Sequence, residues 1–149
     1  MPKISESIEI SAPKSRVWDI ISDLDAEPKY WWGTKSVKTL SKSESVVNRE
    51  IVQNFGNKKI SQTVLLKPRD EVEVRYLKGV TEGVKTLKLE SIDPGKTKLT
   101  AYWDIRFPGV YSLMTPIISG HVRKGTVEAL QRIKQVSEGK EIEVPKEQS

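Results

Sequence analysis

Cysteine is absent from this 149-residue chain, and histidine occurs once, at position 121. Without thiols there is no disulfide framework and no thiolate chemistry. A lone imidazole cannot supply the three or four nitrogen or sulfur ligands that a zinc or iron site takes, so neither metal nor cofactor is expected. No apolar run reaches 18 residues, which argues against a membrane-spanning helix. The opening Met1-Pro2-Lys3-Ile4-Ser5-Glu6 lacks the apolar stretch of a signal peptide, so the expected location is cytoplasmic. Charge of one sign is only mildly in excess: 25 Lys and Arg against 20 Asp and Glu leave +5. The lysines (Lys35, Lys38, Lys58, Lys85, Lys88 and Lys98 among them) are scattered and alternate with apolar residues, as on the solvated outer face of a sheet. Nucleic acid therefore ranks last among partners, because the charge is dispersed and the aromatics are not interleaved with it.

What the chain does contain is ordered. Ser5–Ser11 alternates as a first strand. Pro13 follows where a helix can begin, since its missing N–H is not needed there. Val17, Ile20, Ile21 and Leu24 then fall on one helical stripe, and Pro28 ends it by pushing Glu27 out of the helical region. Tyr30-Trp31-Trp32-Gly33 reads as a turn or a second short helix. Six strand-like runs come next: 34–41, 45–55, 58–66, 71–78, 84–93 and 96–107. The turn at Gly56-Asn57 is a hairpin signal, and consecutive strands joined by short turns make an antiparallel meander. From Val110 to Glu138 the period is helical, with Pro116 as a break point. Met114, Ile118, Val122, Gly125, Ala129, Ile133 and Val136 form one face, and Gly139 stops the helix. Residues 1–139 are expected to form one domain and 140–149 a polar tail. One apolar sheet face and one apolar helix stripe can both be buried if the sheet curls around the helix.

The ordered set Ala12-Pro13, Val17-Trp18, Asp23, Pro28 with an aromatic two residues later, the strand from Gly33 to Leu40 and the terminal helix resembles the START-like (SRPBCC) superfamily. Within it, the likeness is to the polyketide cyclase/dehydrase and coenzyme Q-binding branch. The resemblance implies an α+β helix-grip fold: a seven-stranded curved antiparallel sheet wrapped around a long C-terminal helix, with two short helices between the first two strands. It also implies a hydrophobic small molecule held between sheet and helix. Relatives usually carry Trp where this chain has Tyr30, and often Pro where it has Trp32, so a ligand does not transfer from any one of them. The glycine-rich loop of the plant pathogenesis-related class 10 relatives is missing, Gly79-Val80-Thr81-Glu82-Gly83 reading only as a turn.

Strand parity gives the inward set, because alternate residues share a face. Val47 and Ile51, with Phe55, bring Arg49 and Gln53 inward; Ile60, Val64 and Leu66 bring Gln62. Val72, Val74 and Tyr76 share a side, as do Leu87 and Leu89. Leu99, Ala101, Trp103, Ile105 and Phe107 face in, leaving Thr100, Tyr102, Asp104 and Arg106 outside. Trp31 and Trp32 at the mouth, Arg49, Gln53, Gln62, Tyr76, Trp103 and Phe107 on the sheet, and Met114, Ile118 and His121 on the helix are the expected ligand-binding residues. An inward Arg49 keeps its charge and needs a carboxylate, an anionic ligand group or rim water. Such an interior suits a soluble binding or carrier protein for a lipid, quinone, isoprenoid or polyketide-like molecule. Two alternatives stand beside it. One is a metal-free cyclase, aromatase or dehydratase using Arg49, Tyr76 and His121. The other is a protein-interaction module of the chaperone-regulating kind, for which Trp31-Trp32 would be the contact.

Overall fold

The computed structural model describes residues 3–54, 56–77 and 81–143. Phe55 and the last six residues of the expected tail therefore lie outside the described residues. Seven strands form one sheet: β1 (Lys3–Ile10), β2 (Thr34–Lys42), β3 (Val46–Gln53), β4 (Lys59–Lys67), β5 (Glu71–Tyr76), β6 (Glu82–Asp93) and β7 (Lys96–Arg106). Their order is β1-β7-β6-β5-β4-β3-β2, with every neighbouring pair antiparallel. The meander closes back on the first strand, so β1 and β2 are the two edges although only a helical segment separates them in sequence.

That segment holds α1 (Lys14–Ile21) and a 3-10 turn, Leu24–Lys29, which carries Pro28 inside it. The second short helix thus precedes Tyr30 instead of containing it. Pro28 fits because a short 3-10 turn makes few hydrogen bonds that a proline could remove. At the other end Pro116 falls in the first turn of α2 (Thr115–Ser137), after a separate 3-10 turn, Gly109–Met114. It therefore starts the helix and does not break it. Gly139 takes φ +86°, and Lys140 N–H donates to Gln135 C=O while Gly139 N–H donates to Val136 C=O. This paired cap satisfies the last carbonyls of α2 and requires the left-handed residue.

The buried side chains follow the alternation. Val47, Arg49 and Ile51 on β3, Ile60, Gln62 and Val64 on β4, Val72, Val74 and Tyr76 on β5, Leu99, Ala101, Trp103 and Ile105 on β7, and Phe107 just after it are all buried. Thr100 departs from this pattern: expected outside, it is buried as well. Gly56 and Asn57 both take positive φ in the turn between β3 and β4, where Gln53 N–H donates to Lys58 C=O.

One glycine is fixed by a close approach. Gly83 takes φ +124°, and a Cβ there would lie 2.2 Å from the Asp104 carbonyl oxygen across the β6–β7 pair. Gly83→Ala should cost about 1–3 kcal/mol or more, since that backbone region is essentially open to glycine alone. A urea melt with an unchanged midpoint would refute this.

Candidate ligand site

Two kinds of residue meet between the sheet and the first half of α2: an apolar lining and a buried charged cluster. Helical spacing brings Ile118, Val122 and Gly125 onto the sheet-facing side of α2, with Thr126 beside them. The strands supply Ile51, Tyr76 and Trp103, and the turn after the first 3-10 segment supplies Trp31. Together they line a cavity of about 100 Å3. That is room for several waters or a small apolar molecule. Half-buried Trp32, exposed Gly33 and exposed His121 border it on the solvent side.

Trp103 is held from both sides. Its indole N–H donates to Thr126 Oγ1 at 3.0 Å, and the Thr126 hydroxyl donates to the Val122 carbonyl at 2.7 Å. Trp31 packs edge-on against it at 6.1 Å between centroids, and Tyr76 lies 6.0 Å away. Burial first, and then the nearby Glu27 carboxylate, push the Tyr76 hydroxyl well above its ordinary pKa, so it stays protonated.

The charged cluster begins at Arg49. Consecutive cross-strand pairing sets Arg49 beside Gln62 and Gln62 beside Tyr76. Arg49 Nε donates to Gln62 Oε1 at 2.8 Å, and its Nη2 donates to Glu27 Oε1 at 2.8 Å. Thr34 donates its hydroxyl to the other Glu27 oxygen at 2.6 Å. Burial alone would raise the Glu27 pKa. The Arg49 and Lys85 charges and the two hydrogen bonds outweigh it and hold the carboxyl at about 2. Arg49 Nη1 and Gln62 Nε2 are buried and unpaired among the described residues.

Lys85 completes the cluster, and it corrects the sequence reading. The scattered lysine pattern places it on the outer face of the sheet, yet it is 2% exposed. Its ammonium sits 3.9 Å from the centroid of Trp31 and 5.1 Å from that of Trp103, its direct cross-strand neighbour. Parity contained the signal, because Lys85 shares its face with Leu87 and Leu89. Burial lowers its pKa to about 8, although Glu27 acts in the opposite direction. Lys85 borders the main cavity and also a smaller void of about 20 Å3 that Glu27 lines.

The expected site residues are thus distributed as follows. Trp31, Trp32, Gln53 and Tyr76 line the cavity, as do Trp103, Ile118 and His121. Arg49 and Gln62 lie fully buried in the wall and do not line it; Phe107 packs in the core. Met114 is 40% exposed, because the 3-10 turn before α2 carries it off the helical stripe. Glu27, Lys85 and Thr126 were missed. Glu27 stood beside a proline that looked like a plain helix stop, and a lone Thr on a helix carries no signal.

Comparison with known proteins agrees with this architecture. The family model described as polyketide cyclase / dehydrase and lipid transport matches residues 1–138. It does not single out a coenzyme Q-binding branch. No curated protein matches the chain. Among solved structures, the Zhui aromatase/cyclase of Streptomyces is 15% identical with a TM-score of 0.78, covering 92% of this chain and 93% of its own. A protein of Thermus thermophilus is 13% identical, with a TM-score of 0.77 and coverage of 91% and 97%. A START superfamily protein of Mycobacterium smegmatis is 16% identical, with a TM-score of 0.68 and coverage of 90% and 98%. At such identities the likeness shows the fold. No helix among the described residues is long and apolar enough to cross a membrane.

Proposed function

The chain belongs to the polyketide cyclase/dehydrase and lipid transport family of the START-like superfamily, and from that premise we propose that it binds and carries a small hydrophobic molecule in the cavity beneath α2. The observation that supports this best is the cavity itself. Its walls are Trp31, Trp103, Ile51 and Ile118, and Gly125 withholds a side chain where the helix crosses it. An added Cβ at Gly125 would meet nothing within 4 Å. Such a space, apolar with a few convergent polar groups, suits a compact aromatic or short-chain ligand better than a long lipid.

A catalytic reading draws on the same space. The Zhui structure is that of an aromatase/cyclase, and Tyr76, Lys85 and His121 all border the cavity. Carriage is preferred because the one buried carboxylate of the cluster, Glu27, is engaged by Arg49 and Thr34 and does not line the cavity.

Tryptophan emission tests the proposal. Trp31 and Trp103 line the cavity, so titration with a naphthalene-bodied probe should change emission saturably, and Trp103→Phe should remove most of the change. No saturable response to any of a panel of one- and two-ring compounds would overturn the reading.

A further inference from the structure

The Lys85 ammonium is the one charge of the buried cluster that borders the cavity without a protein acceptor. Glu27 already has its partner in Arg49 at 2.8 Å, and Thr34 occupies its second oxygen. Among the described residues Lys85 makes no hydrogen bond or ion pair; it touches only the faces of two indoles. One carboxylate against a guanidinium and an ammonium leaves the cluster with one uncompensated positive charge. A buried charge of this kind needs a counter-charge or an acceptor.

We propose that Lys85 binds an oxyanion carried at one end of the ligand's apolar body, so that the cavity selects hydrophobic acids: carboxylates, or phenols and enols. This deepens the carrier reading and rests on it. The indoles of Trp31 and Trp103 hold the ammonium in place, and the Thr126 hydrogen bond fixes the Trp103 ring that faces it. The ligand's apolar part then lies toward Ile118 and Gly125, with its oxygen at Lys85. A rival role, in which Lys85 only adds to the field around Glu27 across the small void they share, predicts no influence on ligand choice.

Calorimetric titration of the full chain and of Lys85→Met with three probes of one body decides between them: 2-naphthoate, 2-naphthol and 2-naphthalenemethanol. The proposal expects at least one acidic probe to bind the native protein about tenfold or more tighter than the alcohol, the scale of one charge-assisted hydrogen bond. Preference for naphthoate marks a carboxylate ligand, and preference for naphthol marks a phenol or enol. Lys85→Met should erase the preference, and a cooperative thermal melt of the variant reports that it has folded. Equal binding of all three probes, or a preference that survives in Lys85→Met, overturns the proposal and leaves the carrier reading standing. If no probe binds the native protein, the carrier reading falls and this proposal falls with it.

Discussion

Replacing Glu27 with glutamine should lower the unfolding free energy by about 3–5 kcal/mol at neutral pH, the range for breaking a buried ion pair from one side. The carboxylate is 9% exposed and faces two buried cations. Glutamine keeps the shape but leaves Arg49 without its carboxylate and removes the negative charge that acts on Lys85 in the same interior. For a chain whose total stability lies between about 5 and 15 kcal/mol, that is a large share. The pH dependence fixes the cause. Glu27 is held at about 2 in the folded protein against an ordinary value of 4.5, a difference worth about 3 kcal/mol. Because the folded value is depressed, the contribution is complete above pH 4.5 and is lost as pH falls toward 2. Urea midpoints should therefore separate native and Glu27→Gln proteins widely at pH 7 and bring them together near pH 2. A constant gap would place the effect in packing instead.

Lys85 shares the direction of the pH slope but contributes a cost at neutral pH. Its folded value is lowered from 10.5 to about 8, so the unfolded chain binds more protons between those values and stability from this group rises with pH across that window. At neutral pH its charge is a net cost, so Lys85→Met should stabilise by about 1–3 kcal/mol, the effect of replacing a buried charge with an apolar side chain of similar length. A residue that lowers stability while bordering a cavity is better explained by binding than by folding. Loss of stability in Lys85→Met would instead make the lysine structural.

The second large effect is expected at Gly125. Substitution by leucine should weaken binding of a cavity-filling probe more than tenfold, that is by at least about 1.4 kcal/mol. The fold should not suffer, since replacing a helix-interior glycine with leucine favours α2 by about 0.5–1 kcal/mol and the new Cβ enters open space. Equal or higher thermal stability with binding abolished separates a blocked cavity from a damaged core. Reduced stability with binding retained would mean that the glycine serves only helix-to-sheet packing.

The periodicities carried most of the fold. Period two in the strands, period near 3.6 in α2 and glycine at Gly56 and Gly139 were enough to set element order and sidedness. What they could not carry was partnership. Arg49 was legible as an inward arginine in need of a carboxylate, yet its partner lies 22 residues earlier, in a turn whose geometry is tertiary. Residue type and parity conflict at Lys85: lysine is rarely buried, yet alternation with Leu87 and Leu89 turns it inward. Met114 failed for a local reason: the helix period does not extend across a 3-10 turn, so its stripe position had no structural counterpart.

The central claim, a ligand site beneath α2, is tested most directly by methyl-resolved NMR of the native chain titrated with 2-naphthoate and 2-naphthalenemethanol. Methyl resonances of Ile51, Ile118, Val122 and Thr126 should shift saturably, while those of Ile10, Val17 and Leu99, which do not line the cavity, should stay still. Shifts scattered over surface methyls, or none among the four lining residues with either probe, would contradict the account.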